Sequence, residues 1–369
     1  MLTAAPIRAA EWLIVPGART ASEYVQNPRL MPKDGEDDAT IVGEAYAQLA
    51  YATEVSKLSL SPRILASRFE SDSNLDYDNR SLGADYNRAW ETWKWATSAN
   101  FVQDTTLTSE LGRTGFVEAN RVHEAASLSF GPTFTLSERA QFGLQGQGQK
   151  THYRDALGTG LVDYNYVAGS GFVSCVYSES TQLSLTVRAG ELRVPDVTGA
   201  DKQDAAVRIG WNYSDDGLWS YNASAGPSYM KSEFLKDDGY VYQVGVKRAG
   251  ERTMLSASLS RDVTPTGRGA LTRSDQLYVE LDRGITERLH VTLSINGVRN
   301  EDQLNQSGFE APKLTYATAN LGWNWQVAEQ WSLSFSVSGS TQKYSNVPGS
   351  GDSYRASIGI VWNGQPRIL

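Results

Sequence analysis

The sequence predicts an all-β chain: a transmembrane antiparallel meander β-barrel of about eighteen strands, with sixteen as the alternative count. Three observations predict it. Apolar and polar residues alternate with period two through nearly the whole chain, and the 3.6-residue helical period is hard to find. Short polar turns alternate strictly with longer connections rich in Asp, Gly, Asn and Pro. All ten tryptophans fall beside the short turns or near the chain ends.

Composition agrees and removes other classes. The 369 residues are 40% hydrophobic and 21% charged, and no run approaches the ~20 apolar residues a spanning helix needs. A barrel escapes that limit because each strand pairs one lipid-facing apolar residue with one lumen-facing polar residue. The net charge of −8 is a poor match to a nucleic-acid binder, which needs a basic face. One cysteine, Cys175, excludes an intramolecular disulfide and any thiolate cluster. Met1–Ala10 has no apolar h-region, so no signal peptide is visible.

The elements follow in order. Strands are expected at Glu11–Tyr24, Thr40–Thr53, Val55–Phe69, Asn79–Trp90, Thr92–Thr105 and Val122–Leu136. Next come Ala140–Tyr153, Val162–Tyr177 and Gln182–Val194, in the last of which Leu183, Leu185 and Val187 oppose Ser184, Thr186 and Arg188. Ala205–Tyr213, Leu218–Lys231 and Gly239–Lys247 follow, the first two joined by the tight turn Asp215-Asp216-Gly217. Thr253–Asp262, Leu271–Arg283 and Leu289–Arg299 alternate most cleanly, as in Leu289, Val291, Leu293 and Ile295 against His290, Thr292, Ser294 and Asn296. Lys313–Gln326, Trp331–Tyr344 and Asp352–Asn363 complete the set. Residues 1–10 are read as a periplasmic segment, 11–363 as the barrel and 364–369 as a tail. Most strands run well past the ~5–6 residues usual in a soluble sandwich.

The tryptophans set the membrane level. Trp90, Trp93 and Trp95 flank one short turn, Trp211 and Trp219 another, and Trp323, Trp325 and Trp331 a third, with Trp12 and Trp362 near the chain ends. Tyr24, Tyr153, Tyr164, Tyr229, Tyr240, Tyr344 and Tyr354 gather at the opposite ends. Amphipathic rings at two levels are what the two interfaces of a bilayer select. Short turns and termini are therefore expected in the periplasm of a Gram-negative bacterium, with long loops outside.

No catalytic or metal-binding constellation is visible, and neither an enzyme nor a cofactor is expected. His123, His152 and His290 lack metal-ligand spacing, and no G-x-S-x-G nucleophile elbow occurs. The acidic clusters Glu36-Asp37-Asp38 and Asp237-Asp238 read as solvated loop charge, with divalent-bridged contact to lipopolysaccharide as the alternative. A solute path is instead expected along inward residues. Arg63, Lys94, Gln145, Gln147, Arg188 and Arg208 form its first half; Asn212, Lys247, Tyr278, Glu280, Asn320 and Arg355 form its second. Their charges have both signs, which suits a neutral or weakly charged hydrophilic solute such as a sugar.

Trp12-Leu13-Ile14-Val15-Pro16, followed by Glu23-Tyr24-Val25-Gln26-Asn27-Pro28-Arg29-Leu30, resembles the opening of the EpsL-like β-barrel porin family of exopolysaccharide operons. Gln26 stands where that family usually has an acidic residue. The resemblance implies passage of a secreted polysaccharide through the outer membrane, with a periplasmic export protein as partner. A general or sugar-selective diffusion porin is the alternative. No connection is much longer than the others, so no inward constriction loop is expected, which favours a wide conduit or one gated by a partner.

Overall fold

The computed structural model describes residues 11–32, 35–113, 120–195, 197, 201–215, 217–233, 236–300, 314–345 and 349–368. The wall begins with β1 (Glu11–Gln26), β2 (Asp37–Ala52), β3 (Ser56–Phe69), β4 (Tyr77–Ala89) and β5 (Trp93–Thr105). A helix, α1 (Thr106–Arg113), precedes β6 (Val122–Ser137), β7 (Ala140–Tyr153), β8 (Tyr164–Ser178), β9 (Thr181–Arg193) and β10 (Lys202–Asp215). Then come β11 (Trp219–Lys231), β12 (Lys236–Ala249), β13 (Thr253–Thr266) and β14 (Ala270–Gly284). β15 (Leu289–Asn300), β16 (Leu314–Gln326), β17 (Trp331–Tyr344) and β18 (Gly351–Asn363) finish it.

Each strand pairs antiparallel with the next, and β1 pairs with β18 from Gly17↔Asn363 to Gln26↔Tyr354. The sheet is a closed eighteen-stranded barrel. Closure leaves no edge strand, the only way a sheet can sit in hydrocarbon with its backbone satisfied. The expected tail is not wholly free: β19 (Arg367–Ile368) pairs with Leu13 and Ile14 of β1 beneath the seam. The expected segment 1–10 lies outside the described residues.

The period-two pattern sorts the faces. Ile41, Ile64, Ile209 and Ile358 each expose more than half their surface on the outside of the wall, at 64%, 58%, 70% and 53%. A water-facing wall would not carry such a skin, whereas a lipid-facing band requires it. The buried apolar side chains of the wall strands point into the barrel.

At the short-turn end the aromatic residues pack on one another. Trp90 stacks on Trp93 at 3.8 Å between ring centroids, with Arg88 4.7 Å above Trp90. Trp95 lies beside Phe130, Trp211 beside Tyr213, Trp219 beside Tyr221, and Trp12 beside Tyr51. Trp331 pairs in register with Trp362, Trp323 with Phe335, and Trp325 with Leu333. At the other end Tyr24, Tyr240 and Tyr354 face outward. Tyr153 and Tyr164 do not belong to that girdle; they are buried inside the barrel.

Three mid-strand prolines interrupt the ladder. Pro62, Pro132 and Pro227 lack an N–H to donate, and pairing is lost beside each: β2–β3 skips from Tyr46↔Arg63 to Leu49↔Leu60, β6–β7 from Phe130↔Gly146 to Thr133↔Gly143, and β10–β11 from Ala206↔Ser228 to Ile209↔Ala225. Two of them follow a glycine. A Cβ on Gly226 would lie 1.8 Å from the Val207 carbonyl oxygen, and one on Gly131 2.0 Å from that of Leu144. Backbone cannot swing aside as a side chain can, so Gly226→Ala is expected to cost about 1–3 kcal/mol. Gly148, with nothing within 4 Å of its Cβ position, is the control. Urea unfolding of the two variants in micelles would show equal midpoints if the close approach were unimportant.

Candidate functional site: an inward-folded hairpin in the lumen

β13 and β14 outgrow the wall. β12 pairs with β13 only as far as Tyr242↔Arg261, and β15 with β14 only as far as Ser274↔Asn300. Beyond those points β13 and β14 continue pairing with each other from Asp262↔Ser274 to Thr266↔Ala270. This tip folds into the barrel. The sequence reading expected a loop at Thr264–Ala270 and no inward constriction, and both expectations are corrected here. The connection is a tight hairpin whose last turns are extended strand, so its length in residues gave no warning.

An apolar contact and a set of polar ties hold the tip. Val263 and Leu271 pack with Tyr153 of β7, Tyr164, Tyr166 and Ala168 of β8, Leu192 of β9, Ala206 of β10 and Val241 of β12, all buried. The Val162 amide donates to the Gly267 carbonyl at 2.8 Å, and Lys202 Nζ donates to the Gly269 carbonyl at 2.8 Å. Gly269 has φ +65°, a left-handed turn conformation that favours glycine. Arg273 reaches the inner side of the adjoining wall, donating to Asp237 Oδ2 at 2.6 Å and to Ser228 Oγ at 3.3 Å.

Asp262 sits at the root of the tip and draws in two wall arginines. Arg208 Nη2 donates to Asp262 Oδ1 at 2.7 Å, and Arg188 Nη1 to the same oxygen at 3.4 Å. Arg188 also donates to Tyr166 Oη, lies 5.7 Å from that ring's centroid, and stands 3.6 Å from Asp204. Tyr166 donates to Asp204 Oδ1 at 2.8 Å. Two cations thus meet two carboxylates, and the local formal charge cancels. Between this cluster and the facing wall lies a cavity of about 510 Å³. Its other side is uncharged and rich in hydrogen-bonding groups: Ser98, Asn100, Ser127, Ser129, Gln145, Gln147 and Gln149.

A second element covers the mouth. Leu107 of α1 packs with Leu30 and with Tyr316 of β16. His123 anchors the helix base, its Nδ1 lying 2.7 Å from Asp104 Oδ1 and 3.2 Å from Ser109 Oγ. Both contacts use one ring nitrogen, so this is a tether and not a nucleophile–base–acid relay.

Of the expected path residues, Gln145, Gln147, Arg188 and Arg208 come together around this cavity. Asn212 shares the face of Arg208 four residues nearer the short turns, opposite Asn222. Arg63 and Arg355 also face inward, but on the seam side: Arg63 is paired to Glu44 at 2.6 Å, and Arg355 to Glu23 at 3.3 Å. Tyr278 donates to Glu280 within its own strand. Lys94 shares the inward face of Ser98, Lys247 lies opposite Ser256, and Asn320 opposite Ser294, all away from the constriction. One residue of each acidic cluster is engaged internally: Asp38 accepts from the amides of Ser71 and Asp72, and Asp237 holds Arg273, while Glu36, Asp37 and Asp238 are exposed. No group of histidine, cysteine and carboxylate side chains fit for a metal occurs among the described residues.

Sequence reasoning missed Asp262, Val263, Leu271, Arg273, Asp204 and Tyr166 as site residues. A signal existed. The β-branched run Val263-Thr264 and Thr266, then Gly267-Arg268-Gly269, then Leu271-Thr272, is a hairpin pattern that outlasts the wall register.

A closed barrel with an apolar outer skin, one tryptophan girdle and a polar, narrowed interior is a membrane-spanning β-barrel of the outer-membrane type. A solved structure shares that fold across nearly the full chain. OccAB4 of Acinetobacter baumannii superposes with a TM-score of 0.51 at 8% identity, covering 97% of this chain and 98% of that one. The outer membrane protein opdK of Pseudomonas aeruginosa gives a TM-score of 0.49 at 11% identity, covering 95% and 99%. No family profile matches the sequence, and no curated protein matches it.

Proposed function

We propose that this chain is an outer-membrane channel that passes small, uncharged, hydrophilic solutes of the sugar and polyol class. Its short turns and termini face the periplasm, and its inward hairpin is the constriction. The observation that carries this reading is Asp262 bound to Arg208 and Arg188 opposite the Ser/Asn/Gln wall. Self-neutralised charge gives an ion of either sign little preference, while the facing amides and hydroxyls can exchange hydrogen bonds with a solute's hydroxyls at little net cost. The tryptophan girdle at the short-turn end supports the orientation.

The hairpin removes the reason for preferring a wide polymer conduit. Liposomes carrying the purified chain should swell faster in neutral pentoses and hexoses than in sugar acids of equal size. Exclusion of both solutes would sink the proposal. A strain lacking the chain that loses surface polysaccharide, with sugar uptake intact, would establish the export role that the EpsL-like resemblance implies.

A further inference from the structure

On the outer face, the apolar rows end in a row of charge. In register around the wall, Tyr242 of β12 lies beside Arg261 of β13, then Asp275 of β14, Arg299 of β15, Thr315 of β16 and Lys343 of β17. Two residues nearer the short turns, the same outward face reads Val244, Leu259, Leu277, Gly297, Ala317 and Thr341. The charges therefore begin where the hydrocarbon-facing band stops, at the long-loop end. With the orientation proposed above, on which this inference rests, that is the level of lipid headgroups in the outer leaflet.

Within the row, one arginine is fixed and two cations are left over. Arg261 Nε and Nη2 donate to the two oxygens of Asp275, each at 2.7 Å. The same guanidinium lies 4.7 Å from the Tyr240 centroid and 5.9 Å from that of Tyr242. Tyr242 Oη also donates to Asp275, at 3.1 Å. The carboxylate is thus committed to Arg261. Arg299 and Lys343 are exposed and make no close ion pair among the described residues; Arg299 stands beside Asp275 in the ladder and acts on that carboxylate only at longer range, so the row keeps a surplus of positive charge. Other charged pairs on this rim cancel themselves, as Arg68 does with Asp78 and Arg154 with Glu124.

We propose that Arg299 and Lys343 bind the phosphate of a phosphorylated outer-leaflet glycolipid, lipopolysaccharide, with the Arg261–Asp275–Tyr240 assembly as the rigid flank of the site. The occupant follows from position and charge. This face is turned to the bilayer, so lipid is what lies beside it, and surplus cations at the headgroup level attract its anionic groups. Neighbouring strands are spaced by roughly 4.8 Å, which puts β15 and β17 about 10 Å apart, within reach of two long side chains converging on one phosphate. Guanidinium supplies the paired donors that phosphate geometry favours.

The test measures binding of lipopolysaccharide to the purified, folded chain in mild detergent, read by native mass spectrometry. Wild type should bind the phosphorylated form, while the double variant Arg299→Glu, Lys343→Glu should bind at least about tenfold more weakly, as loss of charge-assisted hydrogen bonds predicts. Enzymatically dephosphorylated lipopolysaccharide should bind wild type as weakly as the intact form binds the variant. Inorganic phosphate alone should not bind, because the bilayer-facing site needs the acyl chains beside it. The outward band is untouched by both changes, and heat-modifiable gel mobility confirms that the variant is folded. Equal binding of intact lipopolysaccharide by folded variant and wild type, or equal binding of the dephosphorylated form by wild type, overturns the proposal. Conductance and sugar passage are unaffected by either result, so the channel reading stands or falls separately.

Discussion

Deleting Val263–Arg273 and joining Asp262 to Ser274 through an Asn-Gly turn should open the channel. Asp262 and Ser274 are directly paired, so a two-residue turn closes the shortened hairpin without disturbing the wall register. The deletion removes Val263 and Leu271 from the apolar cluster and the carbonyls that hold Val162 and Lys202. An eighteen-stranded barrel is wide enough to be an aqueous passage once nothing fills it, so single-channel conductance in planar bilayers should rise by about twofold or more. The size limit for neutral sugars should widen with it. Unchanged conductance would mean that the narrowest point lies elsewhere, under α1.

The second large effect concerns the skin of the barrel. Leu293 lies on the outward face between Leu281 and Leu321, in the middle of the apolar band. Leu293→Arg should cost about 2–4 kcal/mol, the depth-dependent penalty for an arginine facing mid-bilayer lipid. Ser294→Arg, one residue on, points inward between Glu280 and Asn320 and should be close to neutral. Urea-titrated folding into vesicles separates the two. Equal costs for the pair would contradict the assignment of faces.

The wall was legible because its physics is local and repeated. Leu289, Val291, Leu293 and Ile295 announce a lipid face without any knowledge of their neighbours, and β15 and its partners lie where that alternation placed them. Trp331, beside a short turn, and Trp362, near the chain end, were both marked as girdle residues, and they pair in register. The constriction was not legible in the same way. Val263 and Leu271 become interior residues only because Tyr166, Leu192 and Ala206 approach from strands far earlier in the chain. Asp262 has its role only because Arg188 and Arg208 face it across the lumen. α1 was hidden for another reason: Thr106-Leu107-Thr108-Ser109 is a poor helix former, and the turn is held by Thr108 and Ser109 hydroxyls bonding the Thr105 carbonyl.

The seam between β1 and β18 has a kinetic consequence. Every other wall pairing joins strands adjacent in sequence, so the sheet can grow hairpin by hairpin with small entropy losses. The β1–β18 ladder, from Gly17↔Asn363 to Gln26↔Tyr354 and continued by β19 against Leu13 and Ile14, ties the first strand to the last. Its loop-closure cost falls on a single event, and no partial seam can form before the curved sheet brings both ends together. Closure of this one ladder should therefore be the slow step of assembly, and the open sheet before it is the species that an insertion machinery must hold at its two unpaired edges.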